Sequence, residues 1–191
     1  MKIIVWNSQD KCVADYHKLI RGCDVLCLLD CGQWTVPMYA LQIQNGLFHW
    51  KDEHEGLSYD IFYCLEKVAF ICRDGLYSGE SVLYSIHSNI GSLVGIRLQD
   101  DFWLFANHES NRSNACHIGE FYLREISDRF RKAAFIADFK KKSYSWVQET
   151  VGKLYCIALP EGYYPHTVNY LFTIHAVSYT HLRAHETVLD L

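Results

Sequence analysis

Short runs of apolar and β-branched residues, separated by polar turns, are the main pattern along this chain. "KIIVW" at the start predicts a buried strand. After a polar turn, Val13, Tyr16, Leu19 and Ile20 recur at helical spacing, and Gly22 follows as a helix stop. "CDVLCLLD" predicts a second buried strand that ends on a carboxylate. A strand, a helix and a strand in this order predict a parallel pair joined by a crossover.

The middle of the chain is richer in β-structure. Its short β-type runs are "GLFHW", "DIFYC", "VAFIC", "SVLYSI", "SLVGIRL" and "FWLFAN". "RLQDDFWLF" predicts a hairpin, residues 119–131 predict a helix with one apolar face, and "AAFIADF" and "TVNYLFTI" predict two further strands. We therefore predict one α/β domain of two packed mixed, largely antiparallel sheets flanked by helices.

Composition and charge narrow the class of protein. Half of the 191 residues are hydrophobic, which is typical of a globular domain, and the net charge of -4 gives no general attraction for nucleic acid. No apolar run approaches the roughly 20 residues that span a bilayer, and the N-terminus lacks a signal-peptide pattern. We therefore expect a cytoplasmic monomer without a membrane span, in which the eight cysteines are reduced.

Polar residues gather where the predicted strands end. These residues are Asn7, Asp30, Asn107, His108, Asp138 and Asn169. Each one has a simple structural explanation, because Asn and Asp often cap turns by bonding to their own backbone. As a set, however, they suit phosphate chemistry: carboxylate and amide oxygens hold Mg²⁺, and His with Asp can position and activate water.

The order of these residues resembles the endonuclease/exonuclease/phosphatase superfamily, whose fold is DNase I-like. "KIIVWNSQ", "DVLCLLDCG", "FWLFANHES", "FIADFKKK" and "PHTVNYLFT" are similar to its five successive motifs. The resemblance implies a four-layer sandwich and a phosphate-ester substrate, including nucleic acid. It also implies Mg²⁺ or Mn²⁺ at Asn7 and Asp30, catalytic roles for His108, Asp138 and Asn169, and a weaker phosphate contact from Lys140.

The sequence also departs from the family pattern. Asp30 stands in place of Glu, Lys140 in place of the Asn of G-D-F-N, and Asn169 in place of the Asp of I-D-Y, and no S-D-H motif follows. Two functions therefore stay open. One is a divalent-metal-dependent hydrolase of phosphodiesters or phosphomonoesters, such as a nuclease. The other is a catalytically degenerate module that binds phosphate ligands or a protein partner.

The C-terminal stretch "VSYTHLRAHETVLDL" has a different character. On a helix, His181 and His185 would share one face, as a pair of zinc ligands does. The string also resembles the translation of a transposase adapter used in preparing sequencing libraries. We therefore expect residues 1–176 to form a partial, C-terminally truncated domain, and residues 177–191 to be an adapter-derived tail.

Overall fold

A computed structural model of the chain describes the backbone of fourteen segments. They are residues 1–7, 19–31, 36–53, 55–64, 67–85, 92–107, 117–118, 121–126, 129–130, 132–140, 155–158, 167–173, 178–183 and 186–190. For residues 7, 122 and 123, and for those beyond residue 136, it describes the backbone alone.

The described residues form fourteen strands. These are β1 Lys2–Asn7, β2 Val25–Leu29, β3 Leu41–Gln44, β4 Leu47–Lys51, β5 Ser58–Cys64, β6 Val68–Arg73, β7 Tyr77–Ser85, β8 Ser92–Leu98, β9 Trp103–Asn107, β10 Ala133–Lys140, β11 Tyr155–Ala158, β12 Thr167–Thr173, β13 Ser178–Arg183 and β14 Glu186–Asp190. The prediction missed β3, an edge strand whose four residues are all exposed. Leu41 and Ile43 alternate with glutamines, but a run of four residues is at the lower limit for a strand pattern.

The strands build two sheets. One has the order β13-β14-β1-β2-β6-β5-β4-β3, and the other has the order β11-β12-β10-β9-β8-β7. Strands β1 and β2 are parallel, as are β9 and β10, whereas the other pairs of described register are antiparallel. The chain divides into two compact units, Met1–Gly79 with Tyr179–Leu191, and Glu80–Ser178. The prediction of two mixed, largely antiparallel sheets is confirmed.

The predicted flanking helices are not confirmed. Within the described residues, helical structure is limited to residues 19–20, 117–118 and 121–126 and to a 3-10 turn at Gln99–Asp101. Most of the helix expected to end before Gly22 lies outside the described residues. The 3-10 turn joins the antiparallel strands β8 and β9, which confirms the predicted hairpin.

The first sheet is buried on both faces at its parallel pair. All five residues of β2 are buried, which explains why its sequence is a continuous apolar run and not an alternating one. On one face, the rings of Trp50 and Tyr59 stack with their centroids 5.3 Å apart. The same core cluster includes Ile4, Trp6 and Leu26. Burial of these side chains holds the ends of β1 and β2 in place.

The second sheet is centred on β9, whose five residues are all buried. The Phe105 ring lies 5.8 Å from the Trp103 ring and 5.2 Å from the Phe130 ring, measured between centroids. Gly95 faces Phe105 across the β8–β9 ladder. The absence of a side chain at Gly95 therefore makes room for this aromatic group.

Replacing Gly95 by Ala should lower the free energy of unfolding by about 1–3 kcal/mol, the usual cost of overpacking a core. The added Cβ would lie 2.6 Å from Cδ1 of Phe105 and 3.1 Å from Cγ2 of Val82. The Phe105 ring is fully buried, so a shift away from the new Cβ would disturb its packing. Urea denaturation measures the loss. The control is Gly22→Ala, whose Cβ would meet its nearest atom at 3.5 Å. Equal destabilisation of both variants would contradict the prediction.

Among the residues whose side chains the structure describes, the five cysteines are free thiols, and four of them, Cys23, Cys27, Cys31 and Cys72, are buried. Burial raises the pKa of the Cys23 thiol from 9.0 to about 12, and it also raises the pKa of Cys27 and Cys72. These thiols therefore stay protonated and act as small apolar side chains.

The raised thiol pKa values predict a loss of stability in alkali. Between pH 9 and about 12, the Cys23 thiol ionises in the unfolded chain before it does so in the folded protein. Its stabilising effect is therefore complete below pH 9 and is lost as the pH rises through this window. Each such thiol lowers the free energy of unfolding by up to about 1.4 kcal/mol per pH unit. Urea denaturation at several pH values tests this, and Cys23→Ala should give a shallower slope; identical slopes would contradict it.

Candidate functional site

Asn7 and Asp30 lie together at one edge of the first sheet. Strands β1 and β2 are parallel, and Asn7 pairs with Leu29, the residue immediately before Asp30. The carboxyl ends of parallel strands form a common edge, where ligand sites in open sheets with parallel strands often lie. The structure thus brings the two predicted metal-binding positions side by side in the backbone. We call this the Asn7–Asp30 edge.

Asp30 has an unusual backbone conformation, with φ of 53° in the left-handed region. Asp100 and Asp101 share such values, 60° and 59°, but they close the tight β8–β9 turn, where left-handed residues are common. Asp30 instead comes directly after the buried strand β2, at the start of the long connection to β3. A strained non-glycine residue at a strand end is a feature found at functional sites.

The Asp30 carboxylate is partly exposed and lies beside a cation. Lys67 Nζ is 3.6 Å from Asp30 Oδ1, and the two side chains are 53% and 29% exposed. Because both groups reach solvent, this ion pair is screened and is weak. Lys67 immediately precedes β6, whose first residue, Val68, pairs with Leu29. The pair therefore leaves the carboxylate accessible at the Asn7–Asp30 edge.

A second set of predicted residues meets at one edge of the other sheet. Strands β9 and β10 are parallel, with Asn107 opposite Ala137, so Asp138 comes one residue beyond the end of β9. On its other side, Asp138 pairs with Asn169 of β12. His108 follows Asn107 in the chain and lies outside the described residues. The backbone thus brings Asp138 next to Asn169, and we call this the Asp138–Asn169 edge.

Lys140 is further along the same strand. It pairs with Thr167 and is the last residue of β10. Of Lys140, Asp138 and Asn169 the structure describes the backbone only. The predicted phosphate contact at Lys140 therefore stays a prediction.

Asn107 belongs to the set of polar residues at strand ends, but the family resemblance assigns it no role. Its side chain is buried, and its Nδ2 donates a hydrogen bond to the carbonyl oxygen of Ser92 at 2.7 Å. Within the described part of the chain, its Oδ1 is buried without a hydrogen-bond partner. An unsatisfied buried acceptor costs about 1–3 kcal/mol. This unsatisfied acceptor is on the last residue of β9, directly before His108 in the chain.

Among the residues that the structure describes, one further group has side chains suited to a metal ion. The ligand atoms of His49, Asp60 and Asp74 all lie within 4.8 Å of one another. They are separate from the five predicted motifs. Sequence spacing gives no signal for this group, because its members come together only through the pairing of β4 with β5 and of β5 with β6.

Comparisons with known proteins identify the fold through solved structures and not through sequence. No protein-family model matches the sequence, and no curated protein sequence matches it. Solved structures do match. The structure of CdtB, the biologically active subunit of cytolethal distending toxin, aligns with a TM-score of 0.60 at 12% identity, over 98% of this chain and 95% of that one. The chain shares the DNase I-like fold.

Two structures of the TDP2 protein of D. rerio match the same fold. A humanised form carrying 14 mutations aligns with a TM-score of 0.55 at 12% identity, over 91% of this chain and 82% of that one. A complex with a single-strand DNA product aligns with a TM-score of 0.52 at 12% identity, over 95% and 88% of the two chains. Identities this low establish the fold and not the activity. In the described part of the DNase I-like chain, no helix is long and apolar enough to cross a membrane.

Proposed function

We propose that this protein is a divalent-metal-dependent phosphodiesterase that acts on nucleic acid. The observation that carries the proposal is the position of Asp30 and Asp138, each at the carboxyl end of a parallel strand pair. Both residues occupy these positions in a fold shared with CdtB and TDP2. The single-strand DNA product held by TDP2 supports nucleic acid as the substrate class.

The donor set at the Asn7–Asp30 edge suits a hard cation. A carboxylate and an amide oxygen are the ligand types that Mg²⁺ and Mn²⁺ prefer. When bound, the ion would offset the charge of the substrate phosphate. The Asp30 carboxylate is partly exposed and could act as a ligand. Its ion pair with Lys67 is screened by solvent and is weak enough for a metal ion to replace it.

The Asp138–Asn169 edge supplies the groups that act on water. In the proposed mechanism, Asp138 accepts a proton from the attacking water or orients that water, and His108 donates to the phosphate or to the leaving oxygen. Asn169 pairs with Asp138 in the backbone ladder and orients the reacting group through its amide. Lys140 contributes positive charge further along β10.

The proposal is tested with the purified chain and three substrates: a labelled single-stranded DNA oligonucleotide, bis(p-nitrophenyl) phosphate and p-nitrophenyl phosphate. We expect hydrolysis in Mg²⁺ or Mn²⁺ that EDTA abolishes, with phosphodiesters cleaved faster than the monoester. A folded protein that hydrolyses none of them would overturn the proposal. It would favour the catalytically degenerate binding module, which the residues at Lys140 and Asn169 also suggest.

We also propose that residues 177–191 derive from a sequencing adapter and that residues 1–176 are part of the protein domain. The support is the eleven-residue string from Val177 to Thr187. His181 lies in strand β13 and not on a helix, and His185 lies outside the described residues. Re-sequencing the gene from genomic DNA tests the origin. Genomic reads that encode the tail contiguously would refute it.

A further inference from the structure

His49, Asp60 and Asp74 converge from three neighbouring segments of the first sheet. His49 on β4 is directly opposite Asp60 on β5. Asp60 is in turn opposite Cys72 on β6. Asp74 comes two residues after Cys72, and its backbone N–H donates a hydrogen bond to the carbonyl oxygen of Ser58 at 2.9 Å. Directly opposite residues of a sheet project to the same face. The convergence is therefore built into the strand register.

The distances within this group are short, and its negative charge is not balanced by a described Lys or Arg side chain. His49 Nδ1 and Asp60 Oδ1 are 3.0 Å apart, and the two side chains are only 34% and 17% exposed. The nearest arginine in sequence, Arg73, is used elsewhere: it lies 3.5 Å from Asp24 and donates to the carbonyl oxygen of Cys23. Among the described residues, no Lys or Arg pairs with Asp60 or Asp74. Two carboxylates thus face one imidazole without a compensating cation from that part of the chain.

We propose that His49, Asp60 and Asp74 bind a Zn²⁺ ion that links β4, β5 and the turn after β6. One imidazole nitrogen with two carboxylate oxygens is a donor set suited to Zn²⁺, whereas Mg²⁺ prefers oxygen alone. In a tetrahedral site, zinc–ligand bonds of about 2.0–2.2 Å place two ligand atoms about 3.3–3.6 Å apart. His49 Nδ1 and Asp60 Oδ1 are already 3.0 Å apart, and the limit of 4.8 Å leaves the other distances to close by at most about 1.5 Å. Asp74 is exposed in its turn and can make this movement.

The zinc site is distinct from the Asn7–Asp30 edge. Along the β2–β6 pair, Leu29 is opposite Val68, whereas Val25 is opposite Cys72. Asp30 thus follows one end of this ladder, and Asp74 follows the other. An ion at His49, Asp60 and Asp74 would tie strands together and would not contact the Asn7–Asp30 edge. The inference does not rest on the proposed activity.

Cys72 is the thiol closest in register to the site, but it is not a suitable ligand. The Cys72 side chain is only 1% exposed, and its sulfur is not one of the ligand atoms that lie within 4.8 Å of one another. Positions on the ion that the three side chains leave open would therefore be filled by water.

Competition for Zn²⁺ between the protein and a chromophoric chelator, with millimolar Mg²⁺ present, tests the site. We expect one Zn²⁺ per chain. Asp74→Asn and His49→Gln should each weaken binding at least about tenfold, because loss of even an indirect ligand partner costs that much. Glu53→Gln is the matched control: it removes one exposed carboxylate near β4 and should bind Zn²⁺ as the wild type does.

Two results would overturn the proposal. One is no Zn²⁺ uptake, or equal uptake by the wild type, Asp74→Asn and His49→Gln, which would leave His49 as a simple hydrogen-bond partner of Asp60. The other is a thiolate-to-metal charge-transfer band after Co²⁺ substitution, which would assign the ion to cysteines. Asp74 is exposed, so the Asp74→Asn variant keeps the test valid even if His49→Gln fails to fold.

Discussion

Replacing Asp138 by Asn should lower the rate of phosphodiester hydrolysis by about 10²–10⁴-fold, the usual contribution of a positioned general base. Asn has nearly the same shape as Asp, so the pairing of β10 with β9 and with β12 should persist. The change removes the negative charge and the ability to accept a proton. The measurement is kcat at saturating substrate and Mg²⁺, with a thermal melt to confirm folding.

The matched control for Asp138 is Asp101→Asn in the same unit of the chain. Asp101 is 69% exposed, and its ion pair with Arg97 is at the surface, where such pairs contribute little. This variant should keep its activity within about twofold of the wild type. If Asp138→Asn also retained that level of Mg²⁺-dependent hydrolysis, the catalytic role of Asp138 would be wrong.

The centre of the first sheet follows from the sequence because strands β1 and β2 are buried. The continuous apolar run of Val25–Leu29 predicts a strand covered on both faces, and burial of all five residues confirms it. The parallel pairing of β1 with β2 follows from the strand–helix–strand order. Placing Asp30 at the end of that run requires no further information, which is why the Asn7–Asp30 edge is predictable.

The predicted helix over residues 119–131 is described only in part, and the described part is helical at residues 121–126. Phe121 and Ile126 are five residues apart, and the described segment Tyr122–Ile126 is a π-helix, whose bonds run from residue i to i+5. Phe121 nevertheless contacts Tyr84, and Phe130 contacts Trp103. The sequence thus indicates correctly that these side chains make apolar contacts, but residues 122–126 form a π-helix and not the α-helix that the spacing predicts.

The His49 group and the Asp30–Lys67 pair could not be predicted for a different reason. His49 and Asp60 face each other only because the β4–β5 connection sets their register. A connection one residue longer or shorter would turn one of them to the other face. Lys67 reaches Asp30 because β6 pairs with β2 across a long intervening segment. Motif spacing identifies residues at strand ends, but it does not identify partners that depend on antiparallel register.

Replacing Asp30 by Asn should raise the Mg²⁺ concentration needed for half-maximal hydrolysis at least about tenfold, because an amide replaces the charged ligand. Asn is the informative substitution here. Residue 30 has a left-handed φ of 53°, which Asn tolerates and Ala does not. The variant therefore changes charge without straining the chain. Rates measured across a Mg²⁺ titration give the shift directly.

The control for Asp30 is Asp100→Asn, because Asp100 is an exposed carboxylate with a similar φ of 60° in the β8–β9 turn. Its Mg²⁺ dependence should match that of the wild type. Excess Mg²⁺ then separates the two proposed roles: it should restore much of the rate of Asp30→Asn, because binding is a matter of concentration, but it should not restore Asp138→Asn, which lacks the group that accepts the proton. Unchanged Mg²⁺ dependence in Asp30→Asn would show that Asp30 holds no ion, and the Asn7–Asp30 edge would lose its proposed function.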